Sequence, residues 1–335
     1  MDEEGVKSPD RFMNRDNSMN QVLADRMIIK TERTDDAEPF HGWLLYMDGD
    51  RSIHPQYVQL YRNACRKRGM SICLGMYDPA LLHEKAAVCQ LKNLIAQKRP
   101  SFVINRTRDY RLAELLESMG IAVYNCSRLA RAGNDKAVAY RQMQQLAVPV
   151  MPTSYDLQMP PPWYPAVVKS CTGHGGTEVF LIRDEHAWNE WNMRQMRTEQ
   201  WNTGLKKQYV IQQAASDTGR DVRVYVVGNR ITAAVLRTSK TDFRSNYCLG
   251  GSVELYHLTQ AERRLAERVM AGFSIGMAGI DFIFHHGEMV FNEIEDMAGA
   301  RGLYSLTDYD IVDDYIDYIR EELKYAGNTD KTTDL

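Results

Sequence analysis

Three carboxylate residues in the C-terminal third of the sequence have the types and spacing that bind a divalent cation. Asp281 lies in the apolar segment 278–284, and Glu293 and Glu295 stand two residues apart in the segment 288–295. His286-Gly287 between the segments indicates a hairpin. Strand alternation puts both glutamates on one face, and the hairpin can bring Asp281 across from them. Such hard oxygen ligands suit Mg²⁺ or Mn²⁺ held partly by substrate phosphates. The alternative is a solvated acidic strand face.

A second candidate site is the stretch 164–179, YPAVVKSCTGHGGTEV, in which one lysine precedes three glycines. An apolar run ends at Lys169, the glycines Gly173, Gly175 and Gly176 follow, and another apolar run begins at Val179. Glycines let backbone N–H groups approach an anion, and the lysine supplies positive charge. The pattern predicts a strand, a flap over nucleotide phosphates and a strand, although an ordinary glycine hairpin explains it equally well. Neither a Walker loop nor a strand–GxGxxG–helix unit is present.

Cationic residues cluster between the two candidate sites. Arg223, Arg237, Lys240 and Arg244 flank or follow a hairpin signal at Gly228-Asn229. Arginine forks match carboxylate and phosphate oxygens, and the segment 242–246 before Gly250-Gly251 predicts a binding loop. Surface ion pairing is the default for any one of these arginines, so the functional interpretation depends on the whole set.

The elements that must position these residues fall into two blocks. In residues 40–125, strands at 43–47, 70–76, 102–105 and 121–124 alternate with helices at 56–68, 80–97 and 108–119. This alternation predicts an α/β domain with a parallel sheet covered on both faces, and with Asp48 and Asn105 at ligand-accessible strand ends.

The second block is less regular. A helix at 134–146 carries Lys136 in its first turn, and further helices are predicted at 184–200, 259–272 and 308–323, with strands at 209–213, 221–227 and 231–238. Residues 1–38 are polar and predict a flexible leader with a short helix near 22–29.

Bulk properties exclude several classes of protein. The 335 residues are 44% hydrophobic and 25% charged, with a net charge of −3, which gives no reason to expect nucleic-acid or membrane-surface binding. No apolar run is long enough to span a bilayer, and the N-terminus lacks a secretory signal. Six cysteines without CxxC pairs predict reduced thiols and a cytoplasmic location.

Six segments in register give the sequence a resemblance to a known family. They are NDKAVAYRQMQQLAVPVMPT, PAVVKSCTGHGGTEV, YVIQQAASDTGRDVRVYVVGNRITAAVLRTS, DFRSNYCLGG, MAGIDFIF and VFNEIEDMAGARGL. The chain resembles ATP-grasp carboxylate–amine ligases of the RimK and bacterial glutathione synthetase type. The resemblance implies an α/β and α+β fold, in which a pre-ATP-grasp α/β domain (39–127) precedes a two-lobed ATP-grasp fold. The small lobe with the glycine flap would span 128–208, the large lobe with the metal site 209–325, and a frayed tail 326–335.

The same resemblance implies an activity and a set of site residues. ATP would phosphorylate a small-molecule or peptide carboxylate, and an amine would attack the acyl phosphate, with Mg²⁺ or Mn²⁺ as the metal. The resemblance implies that Lys136 and Lys169 contact the ATP phosphates and that Gln212 and Gln213 contact the adenine. The implied flap glycines are Gly173, Gly175 and Gly176. Further implied nucleotide contacts are Asp221, Arg244, Ser245 and Asn246. Arg223, Arg237 and Arg244 would be catalytic, and Asp281, Glu293 and Glu295 would be the metal ligands.

The sequence departs from the family pattern at two places. Glu293-Ile294-Glu295 replaces the usual E-x-N, and the segment 296–302 differs where the accepting substrate should lie. Substrate identity therefore does not transfer. Two alternatives stay open: a ligase that charges a carrier-protein thiol or modifies a peptide natural product, and a catalytically inactive nucleotide-binding regulatory module. The resemblance is also compatible with a homo-oligomer.

Overall fold

The computed structural model describes residues 27–30, 40–50, 53, 55–176, 178–201, 208–239 and 251–329. The chain divides into two compact units, Met1–Tyr124 and Asn125–Leu335. In the described ranges, no helix is both long enough and apolar enough to cross a membrane.

The first unit is built on a five-stranded sheet in the order β1-β3-β2-β4-β5. Its strands are β1 (Met27–Lys30), β2 (Phe40–Met47), β3 (Met70–Tyr77), β4 (Phe102–Arg106) and β5 (Ala122–Tyr124). Its helices are α1 (Pro55–Arg66), α2 (Lys85–Lys98) and α3 (Tyr110–Ser118), with a 3₁₀ turn at Pro79–His83. Strands β2 to β5 pair in parallel, and β4 is buried along its whole length. The predicted parallel sheet is therefore confirmed.

Two terminal predictions need correction. The helix predicted near 22–29 is wrong for its described part, because Met27–Lys30 forms β1 and pairs antiparallel with the edge of β3. The two adjacent isoleucines are β-branched and favour a strand at this position. At the other end of the chain, the last helix continues to Thr329, beyond the predicted end at 323 and into the segment that was expected to fray.

Where the structure describes it, the second unit forms two sheets. The four-stranded sheet has the order β6-β9-β7-β8, with β6 (Thr153–Ser154), β7 (Ala166–Ser170), β8 (Val179–Ile182) and β9 (Tyr209–Gln213). The five-stranded sheet has the order β12-β11-β10-β13-β14, with β10 (Asp217–Val227), β11 (Arg230–Thr238), β12 (Ser252–Leu255), β13 (Met277–His285) and β14 (Glu288–Glu295). Both sheets are antiparallel throughout.

The described residues of the second unit also form six helices. They are α4 (Ser127–Asn134), α5 (Lys136–Gln145), α6 (Glu185–Trp201), α7 (Gln260–Met270), α8 (Arg301–Tyr304) and α9 (Ile311–Thr329). The predicted helix at 134–146 is observed as α5, whereas α4 was not predicted. Asp135 separates these two helices and caps α5, because its carboxylate accepts hydrogen bonds from the backbone N–H groups of Ala137 and Val138. This cap makes Lys136 the first residue of α5.

Alternation along the five-stranded sheet separates its core from its polar face. Val222 and Val224 of β10 and Ile280 and Phe282 of β13 belong to the main hydrophobic core. The intervening residues include Arg223 and Asp281, which therefore lie on the opposite face. The sheet thus holds its charged residues in rows at fixed spacing.

Candidate active site

A cleft of about 890 Å³, counting its open mouth, lies in the second unit and is lined by both of its sheets. One wall comprises β7, β8 and the loop between them, and the other comprises parts of β10, β13 and β14. The charged or polar lining residues include Lys136, Lys169, Glu178, Asp217, Arg220, Asp221, Asn292 and Glu293.

The glycine loop between β7 and β8 has the geometry that a backbone binding surface needs. Gly175 and Gly176 have φ angles of +66° and +75°, in the left-handed region that glycine adopts without strain. A Cβ added to Gly173 would lie 2.7 Å from a carboxylate oxygen of Glu178 and 3.1 Å from the Cβ of Ser170. Gly173 and Gly176 line the cleft. The loop therefore presents main chain to the cleft, as the flap prediction requires.

Lys136 connects this loop to the carboxylate hairpin. Its Nζ donates a hydrogen bond to the carbonyl oxygen of Gly173 at 2.6 Å and lies 3.5 Å from a carboxylate oxygen of Glu293. Its backbone N–H donates to the carbonyl of Cys171 at 2.9 Å. The first residue of α5 is thus attached to the loop by both main chain and side chain.

Lys169 lies deeper in the cleft and is only 8% exposed. Its Nζ donates to the side-chain oxygen of Asn292 at 2.8 Å and to the hydroxyl of Tyr140 at 3.3 Å. Burial lowers the pKa of Lys169 to about 8, while Glu293 opposes this shift and Lys136 adds to it. Because these hydrogen-bond partners are neutral, an anionic ligand would stabilise the buried ammonium.

The predicted carboxylate cluster forms on the hairpin of β13 and β14. Asp281 is the direct cross-strand partner of Glu293, and Gly279 is the partner of Glu295. One carboxylate oxygen from each of the three acids lies within 4.8 Å of the others. The structure therefore brings together the three residues that were predicted as metal ligands.

A β-bulge adds Asn292 to this cluster. Asp281 pairs with Glu293 but Phe282 pairs with Phe291, so Asn292 has no partner on β13. Asn292 and Glu293 consequently both line the cleft. Asn292 was not among the predicted site residues. The available signal was the three-residue separation of the core residues Phe291 and Ile294, which a regular strand does not allow.

Arg223 on β10 and Arg237 on β11 form ion pairs with carboxylates on the strands beside them. Nε and Nη2 of Arg223 donate to the two oxygens of Asp281 at 2.7 and 2.6 Å, and Nη1 lies 2.7 Å from Glu295. Nε and Nη2 of Arg237 donate to both oxygens of Asp221 at 2.6 Å, and Nη2 also donates to Asp281 at 2.6 Å. Each bidentate pair joins direct cross-strand partners.

The charge state of Asp281 follows from these contacts. Burial alone would raise the pKa of this carboxyl, but the charges and hydrogen bonds of Arg223 and Arg237 outweigh burial and lower it to about 2. Asp281 is therefore ionised across the physiological range, although it is completely buried.

Comparison with known proteins identifies the family. The model of the RimK-like ATP-grasp domain matches residues 113–319 of the chain, which is more than half of it. The chain belongs to the RimK-like ATP-grasp family. The protein named "Probable alpha-L-glutamate ligase 2" in Hahella chejuensis is 30% identical over 226 residues, which cover 64% of this chain and 72% of that relative.

Solved structures agree on the ATP-grasp fold. The RimK domain ATP-grasp protein of Sphaerobacter thermophilus has a TM-score of 0.61 at 22% identity, over 82% of this chain and 98% of that protein. The D-alanine–D-alanine ligase of Bacillus anthracis, solved with ATP, has a TM-score of 0.58 at 14% identity, over 87% and 99% of the two chains. The predicted fold class and the prediction of an ATP-grasp ligase are confirmed.

The residues expected at the adenine of an ATP-grasp site lie beside the cleft. The side-chain amide of Gln212 is buried and donates to the hydroxyl of Thr153 at 3.0 Å. Among the described residues, Ala214 and Ala215 line the cleft, whereas Gln212 and Gln213 do not. The assignment of the two glutamines to the adenine stays a prediction.

Arg244, Ser245 and Asn246, which were predicted to contact the nucleotide, lie outside the described residues. Asp221, which the resemblance implies near the nucleotide, lines the cleft and is 3% exposed. Its carboxylate accepts the fork of Arg237.

The donor set fits the divalent cation that the family implies. Asp281, Glu293 and Glu295 offer carboxylate oxygens, the hard donors that Mg²⁺ and Mn²⁺ prefer. A cleft lysine lies beside one of these carboxylates, with Nζ of Lys136 3.5 Å from Glu293. The arrangement can hold phosphate oxygens between ammonium groups and a carboxylate-bound cation.

Proposed function

We propose that this ATP-grasp ligase phosphorylates a substrate carboxylate with ATP and joins the resulting acyl phosphate to an amine, with release of ADP and phosphate. The observation that carries the proposal is the position of Lys169, a buried ammonium with neutral partners that lies in the same cleft as Glu293. Burial lowers the pKa of this ammonium, so an anion bound beside it would stabilise its charge. ATP phosphates provide such an anion.

Each part of the cleft has a proposed role. Lys136 and Lys169 bind phosphate oxygens, and the glycine loop covers them and excludes water from the acyl phosphate. Asp281, Glu293 and Glu295 hold Mg²⁺, which when bound neutralises charge on the phosphates. Asp281 is held in place by the two buried arginines, so the carboxylates are preorganised before the nucleotide binds.

We propose an amino acid as one of the two substrates. The support is the name of the Hahella chejuensis relative, an alpha-L-glutamate ligase. L-Glutamate is accordingly the first candidate, both as the carboxylate and as the amine.

The experiment is a screen for ATP-dependent phosphate release with pairs of amino acids, followed by mass spectrometry of the products. Hydroxylamine added in place of the amine should trap the acyl phosphate as a hydroxamate. Lys169→Met and Glu293→Gln should lose turnover while remaining folded. Full activity in both variants, or phosphate release without any acyl transfer product, would contradict the proposal.

A further inference from the structure

Glu295 is the last residue of β14, the strand at one end of the five-stranded sheet. The ladder between β13 and β14 reaches Glu295, whose cross-strand partner is Gly279. The end of such a strand frays more readily than its middle, because fewer hydrogen bonds must break there. A carboxylate at this position needs a further attachment if it is to stay in the cluster with Asp281 and Glu293.

Asn125 provides an attachment just beyond this end of β14. Its side-chain NH₂ group donates to the carbonyl oxygens of Asp296 at 2.6 Å and Met277 at 2.8 Å. Its side-chain oxygen accepts from the backbone N–H groups of Gly276 at 2.8 Å and Met277 at 3.1 Å. A primary amide has two donors and two acceptor lone pairs, so these four bonds use its full capacity. Asn125 therefore joins the start of β13 to the residue that follows Glu295.

The residues around this amide allow a close fit. Asn125 is 3% exposed, so its four hydrogen bonds are costly to break. A Cβ added to Gly276 would lie 3.0 Å from the side-chain oxygen of Asn125 and 2.9 Å from Cε2 of Tyr315. A Cβ added to Gly133 of α4 would lie 3.1 Å from a carboxylate oxygen of Asp296. Glycines at both positions thus permit the close approach of the segments that Asn125 joins.

We propose that Asn125 is a positioning residue for the carboxylate cluster, because it holds the main chain next to Glu295 and so keeps the Glu295 carboxylate beside Asp281 and Glu293. The described lining of the cleft does not include Asn125. Asn125 therefore acts through Glu295 rather than by touching a ligand. The inference rests on the proposed function for its meaning in catalysis, whereas the attachment can be measured in the protein without metal or nucleotide.

The first test is hydrogen exchange in the protein without metal or nucleotide, measured by mass spectrometry. In Asn125→Ala, loss of the bond to Asp296 should speed exchange in residues 293–298 by about fivefold or more relative to residues 222–227 of β10. Equal acceleration in both segments would indicate a general loss of stability and would overturn the proposal. Wild-type exchange in residues 293–298 as fast as in an unstructured peptide would also overturn it, and this measurement needs no variant.

The second test measures Mn²⁺ affinity by electron paramagnetic resonance in the presence of the ATP analogue AMP-PNP. Asn125→Ala should weaken Mn²⁺ binding by about fivefold or more, because the end of β14 must first become ordered. In the Glu295→Gln background the same change should cause less than about twofold further loss, since the carboxylate through which Asn125 acts is already altered. Additive losses would overturn the proposal.

Asn134→Ala is the matched control for this measurement. The amide of Asn134 donates to the side-chain carboxylate of Asp296 at 3.1 Å, whereas that of Asn125 donates to the main-chain carbonyl. The main chain stays attached in Asn134→Ala, so Mn²⁺ affinity should change by less than about twofold. Equal losses in Asn134→Ala and Asn125→Ala would contradict the role assigned to the main-chain bond.

The two tests separate this inference from the proposed function. A wild type that bound neither AMP-PNP nor Mn²⁺ would contradict the proposed function, while hydrogen exchange would still decide whether Asn125 holds the end of β14. If the wild type bound both, and Asn125→Ala lost neither protection nor Mn²⁺ affinity, this inference alone would fail.

Discussion

The second unit contains two lysines that line the cleft and two buried arginines, Arg223 and Arg237. The two pairs of cations differ in whether their partners are charged. Arg223 and Arg237 each face carboxylates that are themselves almost completely buried. Lys169 donates to an amide oxygen and a hydroxyl, and Lys136 donates to a backbone carbonyl with Glu293 farther away. The arginines are thus balanced within the protein, whereas the lysines retain charge that a ligand can use.

This difference indicates that the arginines and the lysines have separate roles in the site. Buried ion pairs with several hydrogen bonds resist rearrangement, because separating them leaves uncompensated charges in a low dielectric. A lysine with neutral partners exchanges them for phosphate oxygens at much lower cost. The arginines therefore set the geometry of the acids, and the lysines respond to the nucleotide.

Removing one buried arginine should give the largest effect. Arg237→Ala leaves Asp221 without its fork and removes one of the partners of Asp281, so we expect the free energy of unfolding to fall by about 3–5 kcal/mol. The control is Arg230→Ala on the same strand. The side chain of Arg230 is 60% exposed beside Asp314, and its removal should cost less than about 1 kcal/mol. Urea unfolding measures both, and equal losses would refute the contrast between buried and exposed pairs.

The buried ammonium of Lys169 should make the free energy of unfolding depend on pH. The pKa of Lys169 is about 8 in the folded protein and 10.5 ordinarily. Between these values the unfolded chain binds more protons at this residue, so the free energy of unfolding should rise with pH across that window. The full shift corresponds to about 3 kcal/mol. Urea unfolding of wild type and Lys169→Met should show a flatter profile for the variant, and parallel profiles would contradict the burial argument.

Nucleotide affinity should further distinguish the cleft lysines from the buried arginines. Lys169→Met removes a charged hydrogen-bond donor, worth about 1.5–3 kcal/mol, so binding of Mg–AMP-PNP should weaken about 10- to 100-fold. Stability at neutral pH should not fall, because a buried charge has been removed. Calorimetric titration measures the affinity, with Lys92→Met on the exposed side of α2 as the control. A variant that binds as tightly as the wild type would exclude Lys169 from the nucleotide site.

The smallest effect should come from a helix cap away from the cleft. The hydroxyl of Thr259 accepts from the backbone N–H of Glu262, whose side chain accepts from the backbone N–H of Thr259. Thr259→Ala should cost about 1 kcal/mol of stability and leave nucleotide affinity unchanged. Thr259→Ser should retain the cap. A weaker affinity in Thr259→Ala would mean that stability and binding cannot be treated as separate properties.

Part of this site could be predicted from the sequence because Glu293 and Glu295 alternate along one strand and therefore share a face. Asp281 lies on the other strand of the hairpin, where a regular ladder from the turn at His286-Gly287 would pair it with Asn292. The bulge at Asn292, which was not predicted, pairs Asp281 with Glu293 instead. Lys169 and the glycine loop follow from the break between two apolar runs. The parallel sheet of the first unit follows from alternation of strands and helices.

What could not be predicted depends on contacts between distant segments. The neutral partners of Lys169 come from α5 and β14, many residues away in the chain. The arginines were expected near the reacting groups, but nothing in their spacing shows that each is engaged by carboxylates. Strand β1 was missed because it forms only by pairing with the edge of β3.

The bulge on β14 has a consequence for how this cleft can change over evolutionary time. Phe291 faces Phe282, and Ile294 faces Ile280, in a core that does not depend on residue 292. Deleting Asn292 would restore a regular ladder and keep each of these pairs in register. A single-residue deletion would then alter the wall that faces Lys169 without refolding the sheet, so this position can diversify in length as well as in residue type.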